Sequence, residues 1–351
     1  MNILVLNTGS TSLKYKLYEV ASGQLKLRAQ DNIKDIGGKV KSYDEALKKV
    51  LSEILISPKE ISAIGHRIVH GGNNFFKPTK LTPKTIKNLE NYNELAPLHN
   101  PPAIEVVKLC QKFLPQILNI GCFDTAFFKN LPEVSKTYGL PAVISRKFGI
   151  RRFGFHGLSH QYLANEAAKQ LKKPLGGLNL ITCHLGGGCS VTAIKNGKPI
   201  DTSMGFTPSE GLLMMTRAGD LDTGALFYIM EKGKLNIREA EDLLNHKSGL
   251  NGLSGSNGGF TEIKTKAAKG NKDAKLAIDL FVYRIKKYIG SYFAILGEVD
   301  AIVFSAGIVE RNKEIAKKIT SGLPFKVKTL IIPTDEEKVI GEEILKITID
   351  N

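Results

Sequence analysis

The sequence lacks the cysteine patterns of a disulfide-bonded or zinc-binding protein. Its four cysteines, Cys110, Cys122, Cys183 and Cys189, include no CxxC pair and show no regular spacing. A CxxC pair or a regular cysteine spacing is typical of a structural zinc site or a disulfide framework. We therefore interpret the four cysteines as reduced, mostly buried small residues.

Long apolar segments are also missing. No stretch approaches the roughly 20 consecutive apolar residues that a membrane-spanning helix needs. The first residues, MNILVLNTGS, show no basic run before an apolar stretch, as an export signal would. We expect a soluble, unexported protein that is cytoplasmic and has no membrane partner.

Two further patterns are absent. GxGxxG does not occur, which argues against a Rossmann oxidoreductase. The formal charge is +15, but the lysines are scattered through helical stretches such as AKKIT and RIKKY, without interleaved aromatic platforms. This distribution favours a solvated basic surface that attracts anionic ligands, and it argues against a nucleic-acid partner.

Two segments share one strand–turn–strand plan. ILVLN breaks into the turn TGSTS and continues as the alternating strand LKYKLYEV. Much later, LNLITCHLGGGCSVTAIKNGKPI contains an apolar strand, the turn LGGG, the strand SVTAI and an NG turn that opens another hairpin. Because 351 residues exceed the roughly 100 to 200 of one domain, the pattern predicts two related, hairpin-led domains.

The rest of the chain alternates helical patterns with short apolar strands. YDEALKKVLSEIL and AIEVVKLCQKFL read as helices, whereas AIGHRIVHGG and ILNIGCFDTAF read as strands, which favours α/β layering. TPSEGLLMM predicts a helix start, with Thr207 as cap, Pro208 at the first position and Glu210 three residues after the cap. The tail predicts a strand ending at Gly307, then a loop and a closing helix.

Both small-residue turns can bind phosphate. The first, with Lys14, presents backbone amides, hydroxyls and a cation where a strand ends, and the second runs from His184 to Ser190. An ordinary hairpin turn with polar tips is the alternative for each. Together they could hold successive phosphates of a nucleotide, since glycines allow close backbone approach.

Four charged or polar positions could carry chemistry. Arg67 and Val69 lie on one face of a strand, a pairing that suits a small carboxylate with an alkyl tail, although a salt bridge is the alternative. His156 can donate to a phosphoryl oxygen or serve a structural hydrogen bond. Asp124 can hold Mg²⁺ or cap a helix, and Arg217 can bind an anion or interact with a helix dipole.

Taken in order, eight segments resemble the acetate kinase family: NTGSTSLK, GHRIVHGG, LAPLHNPP, FDTAFF, FGFHGLSH, HLGGG, DTSMGFTPSEG and TRAGDLD. The resemblance runs from residue 2 to about residue 340. It implies an α/β fold in which two ribonuclease H-like domains of the acetate and sugar kinase, Hsp70 and actin superfamily enclose a nucleotide cleft. The first domain would comprise residues 1–148 plus 337–351, and the second residues 149–336.

The resemblance also implies roles for individual residues. The catalytic residues would be Asp124, Arg217, His156 and Arg67, of which His156 and Arg217 would stabilise the transition state. The residues that bind the acid and its alkyl group would be Arg67, Val69, Leu98, Phe155 and Pro208. The nucleotide and phosphate contacts would be Ser10, Ser12, Lys14, His184, Leu185, Gly186, Gly187, Gly188, Gly307 and Ile308. The residues near Mg²⁺, for which Mn²⁺ could substitute, would be Asn7 and Glu336.

The implied activity is reversible transfer of the ATP γ-phosphoryl to acetate or another short-chain carboxylate, by a homodimer and without a covalent intermediate. Propionate kinase, a pyrophosphate-using relative and a non-kinase nucleotide-driven binding protein are the alternatives. The chain departs from the family in being shorter, with a trimmed stretch before GHRIVHGG. SGSNGGFTEI and FSAGIVERN also differ at the nucleotide end, and Gly187 stands where an asparagine is common, so the phosphoryl donor stays open.

Overall fold

The structure, a computed structural model, describes residues 1–349. Strands and helices alternate along this part of the chain. The strands are β1 (Asn2–Thr8), β2 (Ser12–Ala21), β3 (Gln24–Lys34), β4 (Ile61–Ile68), β5 (Thr79–Lys80), β6 (Leu118–Phe123), β7 (Leu180–Leu185), β8 (Cys189–Lys195), β9 (Lys198–Thr202), β10 (Ala301–Ser305) and β11 (Lys328–Ile331). The helices are α1 (Tyr43–Glu53), α2 (Pro83–Glu90), α3 (Asn100–Phe113), α4 (Glu133–Lys136), α5 (Ala142–Phe148), α6 (Gly157–Leu171), α7 (Thr223–Gly233), α8 (Ile237–His246), α9 (Gly249–Ser254), α10 (Phe260–Ala268), α11 (Lys272–Leu296), α12 (Gly307–Arg311), α13 (Lys313–Thr320) and α14 (Glu336–Ile349).

The chain divides into two compact units. Unit 1 comprises residues 1–129, 155–161 and the chain from Asp335 onward, and unit 2 comprises residues 130–154 and 162–334. This division differs from the expected domain boundaries, which place residues 130–148 in the first domain and residues 155–161 and 335–336 in the second. Backbone hydrogen bonds explain the first difference, because the Arg152 and Phe153 amides bind Lys136 O and Gly205 O within unit 2.

The sheet of unit 1 has the order β3-β2-β1-β4-β6-β5. β1 pairs with β2 and β2 with β3 in antiparallel fashion, whereas β1, β4 and β6 run parallel. The carboxyl ends of three parallel strands therefore meet at one edge of the sheet. The sequence missed β3, whose exposed, charged residues hide the alternation of an edge strand.

The sheet of unit 2 has the order β9-β8-β7-β10-β11. It begins with the antiparallel hairpins β7–β8 and β8–β9 and continues with the parallel pairs β7–β10 and β10–β11. The five strands repeat the order and direction of β3-β2-β1-β4-β6 in unit 1. The predicted duplication of a hairpin-led plan is confirmed by this match.

Apolar strand residues form the cores because both faces of each central strand are covered. In β1, Ile3, Leu4, Val5 and Leu6 are fully buried, and α14 packs against this strand. Burying each such side chain stabilises the fold by about 1.5–3 kcal/mol. These strands consequently hold their carboxyl ends, where the candidate site residues lie, in fixed positions.

The predicted helix at TPSEGLLMM is wrong. Residues 203–222 form turns and bends between β9 and α7, without a helix or strand. Thr207 Oγ1 accepts a bond from the Ser209 amide, a local turn, and the Glu210 carboxylate binds Arg152 and Tyr138 instead of returning to cap Thr207. Tertiary partners have replaced the capping interaction on which the helix depended.

The four cysteines are free thiols buried in the interior, which confirms their interpretation from sequence. Burial raises the pKa of the Cys189 thiol to about 12. Among residues 1–349, no helix combines the length and the apolar composition that a membrane crossing requires.

Candidate active site

In unit 1, Arg67 and Asp124 meet at the carboxyl ends of β4 and β6. The two strands are parallel neighbours with Ile68 beside Phe123, so the residues near their ends come together. Arg67 Nε donates to Asp124 Oδ1 at 3.0 Å and Nη2 to Asp124 Oδ2 at 2.7 Å, a bidentate fork. Burial opposes the charge of Arg67, but the carboxylates of Asp124 and Glu336 raise its pKa overall. The guanidinium is therefore a fixed positive charge.

Asn7 links this pair to the first turn of α14. Its side-chain oxygen accepts from Arg67 Nη1 at 3.2 Å, and its Nδ2 donates to Glu337 Oε1 at 2.6 Å and to Glu336 Oε2 at 3.4 Å. Strand β1 delivers Asn7 beside β4, because Leu6 lies opposite His66. The structure thus brings together Asn7 and Glu336, which lie at opposite ends of the sequence.

Lys14 lies at the same end of the sheet, opposite Asn7, and Ser10 and Ser12 lie at the turn between β1 and β2. The Gly9 amide binds Ser12 O at 2.8 Å and closes the turn, with Ser10 exposed at its tip and Ser12 half-buried. Lys14 Nζ lies 2.7 Å from Glu337 Oε2, and the carboxylates raise the Lys14 pKa against the effect of burial. Lys14 is thus neutralised by a protein carboxylate, with more than a third of its side chain accessible to solvent.

His156 adjoins Asp124 through the main chain. The His156 backbone amide binds the Asp124 carboxylate, and His156 adopts a left-handed backbone with φ +56°. Gly157 lies so close to Asp124 that a β-carbon there would be 1.9 Å from the Asp124 carbonyl oxygen. Only glycine permits this approach, which places His156 beside the fork of Arg67 and Asp124.

Two of the residues expected to bind an alkyl group, Val69 and Phe155, adjoin His70. Val69 precedes it and is buried, Phe155 is buried with its ring 5.3 Å from the His70 ring, and Leu98 is half-buried in the turn before α3. Asn100 binds both the amide and the carbonyl of His70, at 3.0 and 2.9 Å. Three of the four expected apolar residues therefore belong to unit 1, and Pro208 belongs to unit 2.

In unit 2, the turn Gly186–Gly188 joins β7 to β8. The Gly186 amide binds Gly188 O at 3.0 Å, and the Met215 amide binds Gly187 O at 3.1 Å. A β-carbon at Gly187 would meet no atom within 4 Å, so the tip of the turn is open. His184 and Leu185, the last residues of β7, are buried below it.

A second turn lies beside the first, where β10 ends. Ser305 is paired with His184, and a β-carbon at Gly186 would lie 3.5 Å from that of Ala306. Gly307 then begins α12, and Ile308 is buried. The two turns lie at neighbouring strand ends, and exposed backbone amides in such turns are able to bind phosphate oxygens.

Arg217 lies in the irregular segment 203–222, near the Gly186–Gly188 turn. Its Nη1 donates to Pro208 O at 3.2 Å, and burial lowers the pKa of its half-buried side chain. Within residues 1–349, Arg217 forms no ion pair with a carboxylate. A partly desolvated cation without a counter-charge is chemically suited to an anion, so Arg217 stays a candidate for that role.

Glu336 is one carboxylate of the kind that Mg²⁺ sites use. Its carboxylate contacts Asn7 Nδ2 at 3.4 Å and Arg67 Nη2 at 3.8 Å, while Asn7 Oδ1 accepts from Arg67. Over residues 1–349, no group of three or more His, Cys, Asp or Glu side chains forms a metal-binding cluster. Mg²⁺ is commonly bound by one or two carboxylates, water and substrate phosphates. The residues therefore suit an ion that arrives with a nucleotide.

Sequence reasoning missed three residues of this network: Glu337, Asp335 and Lys16. Glu337 is fully buried and binds both Asn7 and Lys14, and Lys16 Nζ lies 2.7 Å from Asp335 Oδ2. The signal was available in the run TDEEK, three consecutive acids at a predicted helix start. Such acids interact favourably with the dipole of a helix N-terminus. When they are buried, nearby cations must balance their negative charge, as Lys14 and Lys16 do here.

Comparison with known protein sequences assigns this chain to a family. A sequence profile of the acetokinase family matches residues 2–340. The acetate kinase of Acetivibrio thermocellus is 40% identical over 99% of each chain, and that of Carboxydothermus hydrogenoformans is 42% identical over the full length of both. The alignment with the first relative spans 395 positions although this chain has 351 residues, so the relative contains segments that are absent here.

Solved structures agree. The Porphyromonas gingivalis acetate kinase superimposes with a TM-score of 0.90 at 36% identity over 99% of both chains. A propionate kinase from Francisella tularensis subsp. tularensis SCHU S4 gives 0.86 at 35% identity, covering 97% of this chain and 98% of its own. On the evidence of its profile match, its relatives and its fold, this chain belongs to the acetokinase family.

Proposed function

We propose that this protein is an acetate kinase, which transfers the γ-phosphoryl group of ATP reversibly to acetate, giving acetyl phosphate and ADP. The observation that carries the proposal is the cluster of Arg67, Asp124, Asn7 and the His156 backbone at one sheet edge of a chain belonging to the acetokinase family. Arg217, a cation without a carboxylate partner in the described chain, supports it.

Arg67 binds the acid in this proposal. A guanidinium has five N–H donors, and the bonds to Asp124 and Asn7 use three of them and fix its plane. Val69 and Phe155 provide apolar surface for the methyl group. Asp124 therefore acts by orienting Arg67, and its buried carboxylate keeps the guanidinium from turning away.

The chemical step needs alignment and charge compensation more than a base. An acetate oxygen attacks the γ-phosphorus, the bond from phosphorus to the β–γ bridging oxygen breaks, and ADP leaves with that electron pair. Acetate is already deprotonated at neutral pH, so no proton has to be removed. Arg217 and His156 stabilise the charge on the transferring group, and Mg²⁺ held with the phosphates by Glu336 would supply further positive charge.

The turns Gly186–Gly188 and Ala306–Gly307 hold the donor's phosphates. ATP is the donor we expect. The structurally similar Francisella protein is described as a propionate kinase, so propionate is the second acid to test. Pyrophosphate is the second donor.

The direct test traps the acyl phosphate. Protein is incubated with ATP, Mg²⁺, hydroxylamine and acetate, propionate or butyrate, and the hydroxamate is measured; each acid is then repeated with pyrophosphate. We expect hydroxamate from acetate and ATP, lost in Arg67→Ala and retained in Arg28→Ala, whose arginine forms a surface pair with Glu19. No hydroxamate from any combination, or slow ATP hydrolysis that ignores the acid, would reject the proposal.

The protein would act as a homodimer in the cytoplasm. Helix α7 has no buried residue in the single chain although it is apolar, with Phe227 and Tyr228 66% and 63% exposed. A second copy covering this helix would remove that apolar surface from water. Light scattering should therefore give twice the 38.4 kDa chain mass, and Phe227→Asp should reduce it to one chain mass.

A further inference from the structure

The segment that carries Arg217 is long and has no helix or strand. It runs over residues 203–222 between β9 and α7, and we name it the Arg217 loop. Long irregular segments in compact proteins are usually functional or disordered. This one is held at defined points, and two of them are carboxylates of the loop itself, Glu210 and Asp220.

Glu210 is bound from outside the loop by Arg152 and Tyr138. Arg152 Nη2 donates to Glu210 Oε1 at 2.6 Å, and the Tyr138 hydroxyl donates to Glu210 Oε2. The same hydroxyl accepts from the Phe206 amide at 2.8 Å. Tyr138 thus binds the loop on both sides of Pro208. Burial and the nearby Glu210 carboxylate raise the Tyr138 pKa, so its hydroxyl stays a donor at neutral pH.

Asp220 is bound from helix α11. The Tyr288 hydroxyl donates to Asp220 Oδ2 at 2.7 Å, while Asp220 Oδ1 accepts from the Gly211 amide at 2.8 Å. The Asp220 amide returns a bond to Gly211 O at 2.9 Å. These bonds close residues 211–220 into a ring of backbone that contains Arg217. Burial raises the Tyr288 pKa as well.

Arg217 takes its orientation from this backbone. Its carbonyl accepts from the Met214 amide at 3.1 Å, and its Nη1 donates to Pro208 O at 3.2 Å. In the described part of the chain no carboxylate orients the guanidinium. Movement of Pro208, or of the backbone between Gly211 and Asp220, would therefore displace the guanidinium directly.

We propose that the hydroxyls of Tyr138 and Tyr288 are positioning groups: by holding Glu210 and Asp220, they fix the Arg217 guanidinium where it can stabilise the transferring phosphoryl group. The inference rests on the proposed function for its catalytic consequence. Neither tyrosine contacts substrate in this proposal. Both act through the loop.

Tyrosine-to-phenylalanine variants test the proposal because they remove one oxygen and keep the ring. Tyr138→Phe and Tyr288→Phe should each lower kcat about tenfold, since small misplacements of an aligned group cost large factors in rate. KM for ATP and for acetate should stay within about twofold, because nucleotide and acid bind elsewhere as well. Tyr283→Phe is the matched control, since Tyr283 lies on the same helix and is exposed.

Hydrogen exchange supplies a measurement that does not depend on turnover. Amides of residues 203–222 should exchange faster in both phenylalanine variants and at the wild-type rate in Tyr283→Phe. Unchanged kcat in both variants, an equal loss in Tyr283→Phe, or a rise in KM with kcat unchanged would overturn the positioning role.

The two proposals fail in different ways. If wild-type protein forms no hydroxamate, the proposed function is rejected, while exchange still decides whether the two hydroxyls hold the loop. If wild-type protein is active and the variants match it in kcat and exchange, only the positioning proposal is rejected.

Discussion

Replacement of Arg217 by alanine should separate activity from stability. Arg217 is half-buried, and its described hydrogen bonds leave from Nη1, to Pro208 O and to Met214 Sδ. In residues 1–349 no bond joins its Nε or Nη2 to a protein acceptor. That edge of the guanidinium can therefore form two charged hydrogen bonds to a transferring phosphoryl group.

The expected size of the effect follows from this geometry. Two hydrogen bonds to a charged group contribute about 1.5–3 kcal/mol each. Losing about 3–6 kcal/mol in the transition state lowers kcat by about 10²–10⁴-fold. Because the proposed contact would form mainly in the transition state, KM for ATP should change much less.

The thermal stability of Arg217→Ala should stay the same or rise, although its activity falls. Burial lowers the Arg217 pKa, which means that folding disfavours its charged form, and no carboxylate in the described chain offsets this. Arg217→Ala should therefore leave Tm unchanged or raise it slightly. Steady-state hydroxamate kinetics and thermal unfolding check both parts, with the exposed Arg238→Ala as control. A kcat within tenfold of wild type, or a Tm lower by several degrees, would refute this account of Arg217.

Three further outcomes are expected. Burial lowers the His66 pKa from 6.5 to about 4, so as pH falls the unfolded chain binds a proton at this histidine before the folded chain does. The free energy of unfolding should therefore drop by about 3 kcal/mol between pH 6.5 and 4. Urea unfolding of His66→Gln should lack this dependence of the free energy on pH, and an identical dependence would refute the prediction. Cys189, with a pKa of about 12, should resist iodoacetamide in native protein and react after unfolding, so rapid native alkylation would contradict its burial. Gly157→Ala should destabilise the protein by several kcal/mol because its β-carbon would overlap the Asp124 carbonyl, whereas Gly187→Ala should be neutral by thermal unfolding; equal Tm values would contradict the structure.

Local sequence patterns predicted many of the strands and helices. Alternation and turn residues predicted β1, β2, β7, β8 and β9, and the NG turn at Asn196–Gly197 is one of the observed hairpin connections. Helices α1, α3 and α14 follow from apolar spacing over a few turns. These elements were predictable because the interactions that select them lie within a few residues of one another.

The same locality explains the failures. At TPSEGLLMM the capping signal was present, but Glu210 instead binds Arg152, 58 residues away in sequence. A local pattern cannot show that a distant arginine will compete for the carboxylate. Strand β3 was missed for a related reason, since its pairing with β2 rather than its composition makes it a strand.

The sequence by itself determined the family and the order of the motifs, and it supplied the residue types of the candidate site: two arginines, an aspartate, a histidine and two small-residue turns. Only the tertiary structure decided their partners. It turned Arg67 toward Asp124, joined Asn7 to Glu336 and Glu337 across more than three hundred residues, and left Arg217 without a carboxylate in the described chain. The physical reason is that charge neutralisation depends on distances of a few ångströms in space. The ends of the parallel strands and the first turn of α14 set these distances, and separation along the chain does not encode them.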